Sequence, residues 1–145
     1  MNYDAAPGLG LGVIRLGMSP STVTDRLGAP NDQVYDGDEL RLDYDPIKTN
    51  CFFGYEGFNR LHLIECRNPK LRVVGQKIIG TTTNGLSRRL GFSSADEEIT
   101  DYGDGECFHG FPGISCYSNS SIVLSVQVTL LFDDNDCEVW PFSDD

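Results

Sequence analysis

The sequence predicts an α+β fold in which two tandem units, each a short helix followed by an antiparallel meander, share one antiparallel sheet with the helices on one face. Three observations carry this. A capped helix is written at "GMSPSTVTDRLG", residues 17–28, and returns in weaker form at "GTTTNGLSRRLG", residues 80–91. Stretches of period-two hydrophobicity broken by turn residues follow each copy. A constant offset of 63 residues, without gaps, carries features of the first half onto the second.

In chain order, "GLGLG" at residues 8–12 reads as a flexible lead-in, because it precedes no strand-to-helix unit of the dinucleotide-binding type. Ser19 followed by Pro20 supplies an N-cap oxygen and a first-turn residue with φ already set. Met18 is placed to pack on Val23 as a hydrophobic staple, and Gly28 with Pro30 ends the helix. A helix of about nine residues does not persist alone in water, so its Val23/Leu27 stripe must dock on a sheet.

The strand signals come next. "ELRLDY" alternates Leu40, Leu42 and Tyr44 against Glu39, Arg41 and Asp43, which gives one wet face. "NCFFGY" and "FNRLHLIEC" flank Glu56-Gly57, a two-residue hairpin connection that would pair Tyr55 with Phe58. In "SIVLSVQVTLLF" the spacing places Ile122, Leu124, Val126, Val128, Leu130 and Phe132 on one face, with Ser121, Val123, Ser125, Gln127 and Thr129 on the other.

The 63-residue offset maps Gly17 to Gly80, Val23 to Leu86, Leu27 to Leu90 and Gly28 to Gly91. It also maps the Glu56-Gly57 turn to Asn119-Ser120, and Leu61 and Leu63 to Leu124 and Val126. The expected organisation is one domain over residues 1–145, with repeats at about 13–75 and 76–138. Fusing the meanders gives a sheet of roughly six to eight strands whose second face is open.

Charge is unevenly spread. Residues 1–89 hold 10 acidic and 11 basic side chains, whereas residues 90–145 hold 12 acidic and no basic ones, so the net charge of -11 arises in the second half. One cluster is Asp96, Glu97, Glu98, Asp101, Asp104 and Glu106, and another is Asp133, Asp134, Asp136, Glu138, Asp144 and Asp145. Such a surface repels nucleic acid and attracts cationic proteins, and it also serves solubility. With no apolar span and no signal-like start, the expected location is cytoplasmic, and the odd count of five cysteines then reads as free thiols.

"LGMSPSTVTDRLGAP" followed by strand-turn-strand resembles the helix-and-hairpin unit of the β-lactamase inhibitory protein type, and is also similar to the single unit of outer-membrane assembly lipoproteins. The resemblance implies two units forming one curved antiparallel sheet whose concave face receives a loop of a target enzyme. An acidic, two-unit chain of this kind resembles the immunity proteins that bacteria make against toxins of neighbouring cells. The function expected is therefore non-enzymatic: inhibition of a cationic toxin or enzyme encoded nearby, by occlusion of its active site. The alternative is an envelope-assembly or scaffold module that docks without inhibiting.

Candidate partner-binding residues are Asp101, Asp104, Glu106, Asp133, Asp134, Asp136, Trp140 and Phe142. The carboxylates would stand in for the phosphates a cationic toxin expects. The two aromatics lie among carboxylates with no basic neighbour in sequence and would act as anchors, although a frayed terminus gives the same pattern. No catalytic, cofactor or metal site is expected. His62 has no carboxylate placed beside it in sequence, and Cys107 with His109 would need Cys116 and one more ligand to hold zinc. "DDNDCEVW" lacks the glycine and the bidentate glutamate of a calcium loop.

Overall fold

The computed structural model describes residues 2–54 and 59–143, so the Glu56-Gly57 turn with its Tyr55/Phe58 pair, and Asp144 and Asp145, lie outside the described residues. The chain opens with β1 (Asp4–Ala6), β2 (Gly10–Leu11) and β3 (Ile14–Arg15), before α1 (Pro20–Leu27). A meander of four strands follows: β4 (Asp32–Asp36), β5 (Glu39–Tyr44), β6 (Thr49–Gly54) and β7 (Arg60–Cys66). Short strands β8 (Arg72–Val73) and β9 (Gln76–Lys77) lead to α2 (Leu86–Leu90). A second meander comprises β10 (Glu98–Asp101), β11 (Glu106–His109), β12 (Ile114–Asn119) and β13 (Ile122–Thr129). The hairpin of β14 (Leu131–Phe132) and β15 (Glu138–Val139) comes last.

The architecture is α+β and largely antiparallel. Both meanders form one eight-stranded sheet, ordered β10-β11-β12-β13-β7-β6-β5-β4, and they meet where β7 pairs with β13. Local chemistry fixes the first helix as the sequence requires. The Ser19 hydroxyl accepts the Thr22 N–H at 3.2 Å, Pro20 occupies the first turn, and Gly28 ends the helix at φ +87°. The buried Tyr44 hydroxyl then donates to the Gly28 carbonyl at 3.0 Å, tying the helix end to β5, and burial pushes that phenol up to about 12. The second helix has no side-chain cap. It begins only after Gly85, at φ +65°, and runs for five residues.

Met18, Val23, Leu86 and Leu90 are buried in a single core cluster with Leu40, Leu42, Phe53, Leu61, Ile64, Val126 and Val128 of the sheet. The glycine-rich start joins the same cluster, which overturns its reading as a flexible lead-in. Leu11, Ile14 and Leu16 are fully buried, and β1 pairs with β2 and with β8 in a five-stranded sheet ordered β3-β2-β1-β8-β9. Glycine conceals this in the sequence by weakening the strand signal, yet it is required there: a Cβ on Gly10 would sit 2.1 Å from the Ile14 carbonyl oxygen.

The last long strand also departs from the expected pattern. Tyr117 pairs with Ser125 but Ser118 pairs with Val123, so Leu124 is an extra residue and the alternation changes phase across it. Val123 is therefore buried, while Ile122 and Leu124 are exposed. The connecting turn is Ser120-Ser121, both at positive φ, one residue later than the expected Asn119-Ser120. A matching shift occurs in the first half, where Phe52 pairs with Leu63 and Phe53 with Leu61, leaving His62 as the extra residue.

Backbone bonds around both bulges correspond. Gly17 N–H donates to the Leu61 carbonyl and Leu61 N–H to the Met18 carbonyl, each at 2.8 Å. Gly80 N–H donates to the Val123 carbonyl at 2.8 Å and Val123 N–H to the Thr81 carbonyl at 2.9 Å. Gly17 and Gly80 are 63 residues apart but Leu61 and Val123 are 62, so the correspondence is not gap-free.

Candidate functional site

One face of the large sheet carries the helices and the core, and the other is open. Strand alternation sends Arg41, Asp43, Asn50, Leu63, Glu65, Ser115, Tyr117 and Gln127 to the open side, because their neighbours Leu42, Cys51, Ile64, Cys116, Val126 and Val128 fill the core. The polar members other than Tyr117, with Arg67 and Ser125, form a continuous chain of hydrogen bonds. Arg41 clasps Asp43 with two N–H groups, at 2.8 and 3.2 Å, and the Asn50 amide also donates to the Asp43 carboxylate. Arg67 Nη1 donates to Asn50 Oδ1 at 2.7 Å and to Glu65 Oε1 at 2.8 Å. Gln127 Nε2 donates to Glu65 Oε2 at 3.4 Å and to Ser125 Oγ at 2.8 Å, while Ser115 Oγ donates to Gln127 Oε1 at 3.0 Å.

This polar rail runs over five strands, from β5 to β12, and crosses the β7–β13 seam. The Asp43 side chain is only 12% exposed, a position in which an unpartnered carboxylate would be costly, and three donors satisfy it. The same contact raises Arg41 above the ordinary arginine value, chiefly through its hydrogen bond to Asp43. Side chains held this way are pre-ordered before any partner arrives.

Beside the rail lies a groove of about 720 Å³, lined by Leu63, Tyr102, Cys107, Tyr117 and Leu124 together with Glu65, Arg67 and Gln127. The bulge matters here, because it turns Leu124 outward, 44% exposed. Tyr102 enters from the β10–β11 turn, where its N–H donates to the Gly105 carbonyl at 2.8 Å. The Tyr117 hydroxyl packs against Gly105, so closely that a Cβ there would meet it at 2.2 Å.

The candidate residues from the sequence do not form one site. Asp101 pairs with Glu106 in phase with buried Phe108, so both project to the helix side of the sheet edge, and Asp104 sits in the turn between them. Asp133, Asp134 and Asp136 occupy the separate β14–β15 turn. Asp133 is engaged there, its Oδ1 accepting the Asn135 and Cys137 N–H groups at 2.8 and 3.0 Å. Trp140 and Phe142 are not isolated among carboxylates. The Arg60 guanidinium lies 4.7 Å from the Trp140 ring centroid, Arg26 lies 5.8 Å from that of Phe142, and both aromatics pack on the core. Gly17 is needed beneath this tail: it stands at φ +101°, and a Cβ there would fall 2.1 Å from the Phe142 carbonyl oxygen.

The histidines and cysteines are placed as follows. His62 Nε2 lies 2.7 Å from Glu39 Oε2, a carboxylate 23 residues away in the chain that strand pairing brings beside it. His109 Nε2 contacts Thr100 Oγ1 at 2.7 Å. Cys107 is on the open side and Cys116 on the core side, and among the described residues no three His, Cys, Asp or Glu side chains converge on a metal position. All five cysteines are free thiols, with burial pushing Cys51 and Cys116 up to about 12 and raising Cys107. Titration of the native protein with a disulfide reagent near pH 8 should therefore release one fast equivalent from exposed Cys137 and one slow one from Cys107. Cys51, Cys66 and Cys116 should react only on unfolding, and a second fast equivalent would contradict this packing.

Sequence reasoning missed the rail and Tyr102. The signal present was the spacing of Arg41/Asp43 and Glu65/Arg67, opposite charges two residues apart on one strand face, but their lateral alignment appears only once strand order is known.

No family model matches the chain, and no curated protein matches it in sequence. Solved structures do share the fold. A cysteine-rich secretory protein from Staphylococcus aureus aligns with a TM-score of 0.53 at 13% identity, over 89% of this chain and 50% of that one. An extracellular SCP-domain protein from Bacillus anthracis aligns with a TM-score of 0.50 at 10% identity, over 82% of this chain and 44% of that one. A DUF4309-family protein from Bacillus subtilis aligns with a TM-score of 0.54 at 14% identity, over 84% of this chain and 87% of that one. The chain thus spans about half the length of the first two. Among the described residues, no helix is long and apolar enough to cross a membrane.

Proposed function

We propose that this chain is a non-enzymatic protein-binding inhibitor of the immunity type, which occludes a toxin or enzyme by seating one of its loops on the open sheet face. The observation that carries the proposal is the pre-ordered rail from Arg41 to Ser115 beside an apolar groove, a combination of fixed polar contacts and aromatic surface suited to a protein partner. In this reading the two meanders are tandem units, supported by the corresponding bonds at Gly17/Leu61/Met18 and Gly80/Val123/Thr81 and by the bulge that follows each. In this reading the acidic β10–β11 turn, which borders the groove through Tyr102, and the separate acidic β14–β15 turn steer a cationic target.

The test is co-expression in the cytoplasm with the product of the adjacent reading frame, read by growth rescue and by recovery of a stoichiometric complex. A neighbour that is toxic alone and neutralised in complex supports the proposal. A complex without toxicity supports the second reading, a docking module of a larger extracellular protein. That reading is favoured by two of the structural neighbours being described as secretory or extracellular while this chain spans about half of each.

The steering has its own signature. Asp104 and Asp134 are exposed turn carboxylates, so replacing both with lysine should leave the fold intact. Association with the partner should then slow by about tenfold at low salt, and the difference should vanish near about 0.5 M salt. Association of the unaltered chain that ignores salt would remove electrostatics from the mechanism.

A further inference from the structure

We infer that the groove takes an arginine side chain of the partner loop, flanked by an apolar residue, an assignment that rests on the binding reading above. Charge on the open face points this way. Strand register places Asp32, Asp36, Glu39, Asp43, Glu65 and Glu98 on that side, against the guanidinium groups of Arg41 and Arg67. Both of those cations are already engaged, Arg41 with Asp43 and Arg67 with Glu65, and Arg60, which the register also places on this side at the start of β7, is held over the Trp140 ring. The β10–β13 half of the face can contribute no cation of its own other than histidine, since residues 90–145 contain no lysine or arginine. The face is therefore electronegative, and a cationic occupant is the complementary one.

The aromatic lining narrows the cation to a guanidinium. Tyr102, 62% exposed, and Tyr117 line the same groove, and they are brought together by the Gly105 turn that supports both. A planar guanidinium stacks on such rings and sheds water more readily than an ammonium, and its N–H fork can reach a carboxylate at the same time. Glu65 supplies that carboxylate from the groove floor, its side chain 31% exposed; Arg67, which lines the same groove, and Gln127 each occupy one site on its two oxygens, and a carboxylate offers about four, so the incoming guanidinium shares it. Leu63 and the outward-turned Leu124 supply the apolar part of the lining, which suits an adjacent aliphatic side chain.

The experiment is an NMR titration of the full chain with three capped peptides, acetyl-Leu-X-Leu-Gly-amide, where X is arginine, its neutral isostere citrulline, or glutamate. The arginine peptide should shift the amides of Leu63, Tyr102, Tyr117 and Leu124 and bind about fivefold tighter than the citrulline peptide, the size of an exposed cation–π contact. The glutamate peptide should leave those amides unmoved. Tyr102→Ala should abolish the arginine preference, while Tyr102→Phe, which keeps the ring face and loses only the hydroxyl, should retain it. Equal binding of the arginine and citrulline peptides overturns the assignment. So do shifts confined to the Arg60/Trp140 region, or no shift from any peptide at about 10 mM, far above the range expected for such contacts. An arginine preference at a face that the partner ignores would sink the inhibitor reading and leave the assignment standing. Equal peptides on a face for which the partner does compete would do the reverse.

Discussion

Replacing Phe53 with alanine should cost about 3–5 kcal/mol of folding stability, whereas the same change at its neighbour Phe52 should cost about 1 kcal/mol or less. Phe53 is fully buried, pairs laterally with Leu40 and Leu61, and belongs to the cluster that receives Met18, Val23 and the N-terminal strands. Its removal leaves a ring-sized void at the centre of the sheet, bounded by strands whose backbone bonds prevent collapse. Phe52 sits on the open face, half-buried, beside Leu63 and Arg41. Against a total stability of about 5–15 kcal/mol, the Phe53 change approaches global unfolding and should lower Tm by roughly 10 °C or more. Urea denaturation of both variants, with the slope unchanged, is the measurement. Equal losses at the two positions would mean that the register across the His62 bulge is wrong.

Where a segment carried its own punctuation it could be read. Ser19-Pro20 and Gly28 bound the first helix, and the alternation in "ELRLDY" bounds β5 to the residue. What could not be read depended on contacts between distant segments. Leu124 looks buried in the one-dimensional alternation, and it turns outward because Val123 is held by the Gly80 carboxyl-terminal neighbour Thr81 and by Gly80 itself. The N-terminal strands carry a weak local signal because glycine is what permits their close approach, and they are specified instead by pairing with residues 72–73. The acidic candidates were visible as composition, but composition does not say that Asp101 and Glu106 face the helix side while Tyr102 faces the groove. The rail is the extreme case, since its members are spread over residues 41–127 and share only a sheet face.

Leu124→Arg should reduce partner binding by about 100-fold, the scale of a lost interface anchor, and should abolish growth rescue. Leu124 is the bulged residue of β13 and already 44% exposed, so an arginine there adds no buried charge and should leave the folding stability within about 0.5 kcal/mol of the unaltered chain. Its effect on binding comes from geometry. The new guanidinium rises beside Tyr117 and Glu65, where it stacks and pairs within its own chain and fills the space assigned to the partner's arginine. A partner loop must then displace an intramolecular contact of the same kind and also approach a like charge, which combines lost attraction with added repulsion. Val139→Arg is the control, an equally exposed apolar residue at 42% on the separate β14–β15 hairpin, and should bind as the unaltered chain does. If Leu124→Arg binds normally while the Asp104/Asp134 lysine variant does not bind even at high salt, the contact surface is the acidic edge and not the sheet face. If both bind normally, the partner is held elsewhere, and the groove beneath Trp140 and Phe142, about 650 Å³ and lined by Ser19, Asn59 and Arg60, becomes the surface to alter next.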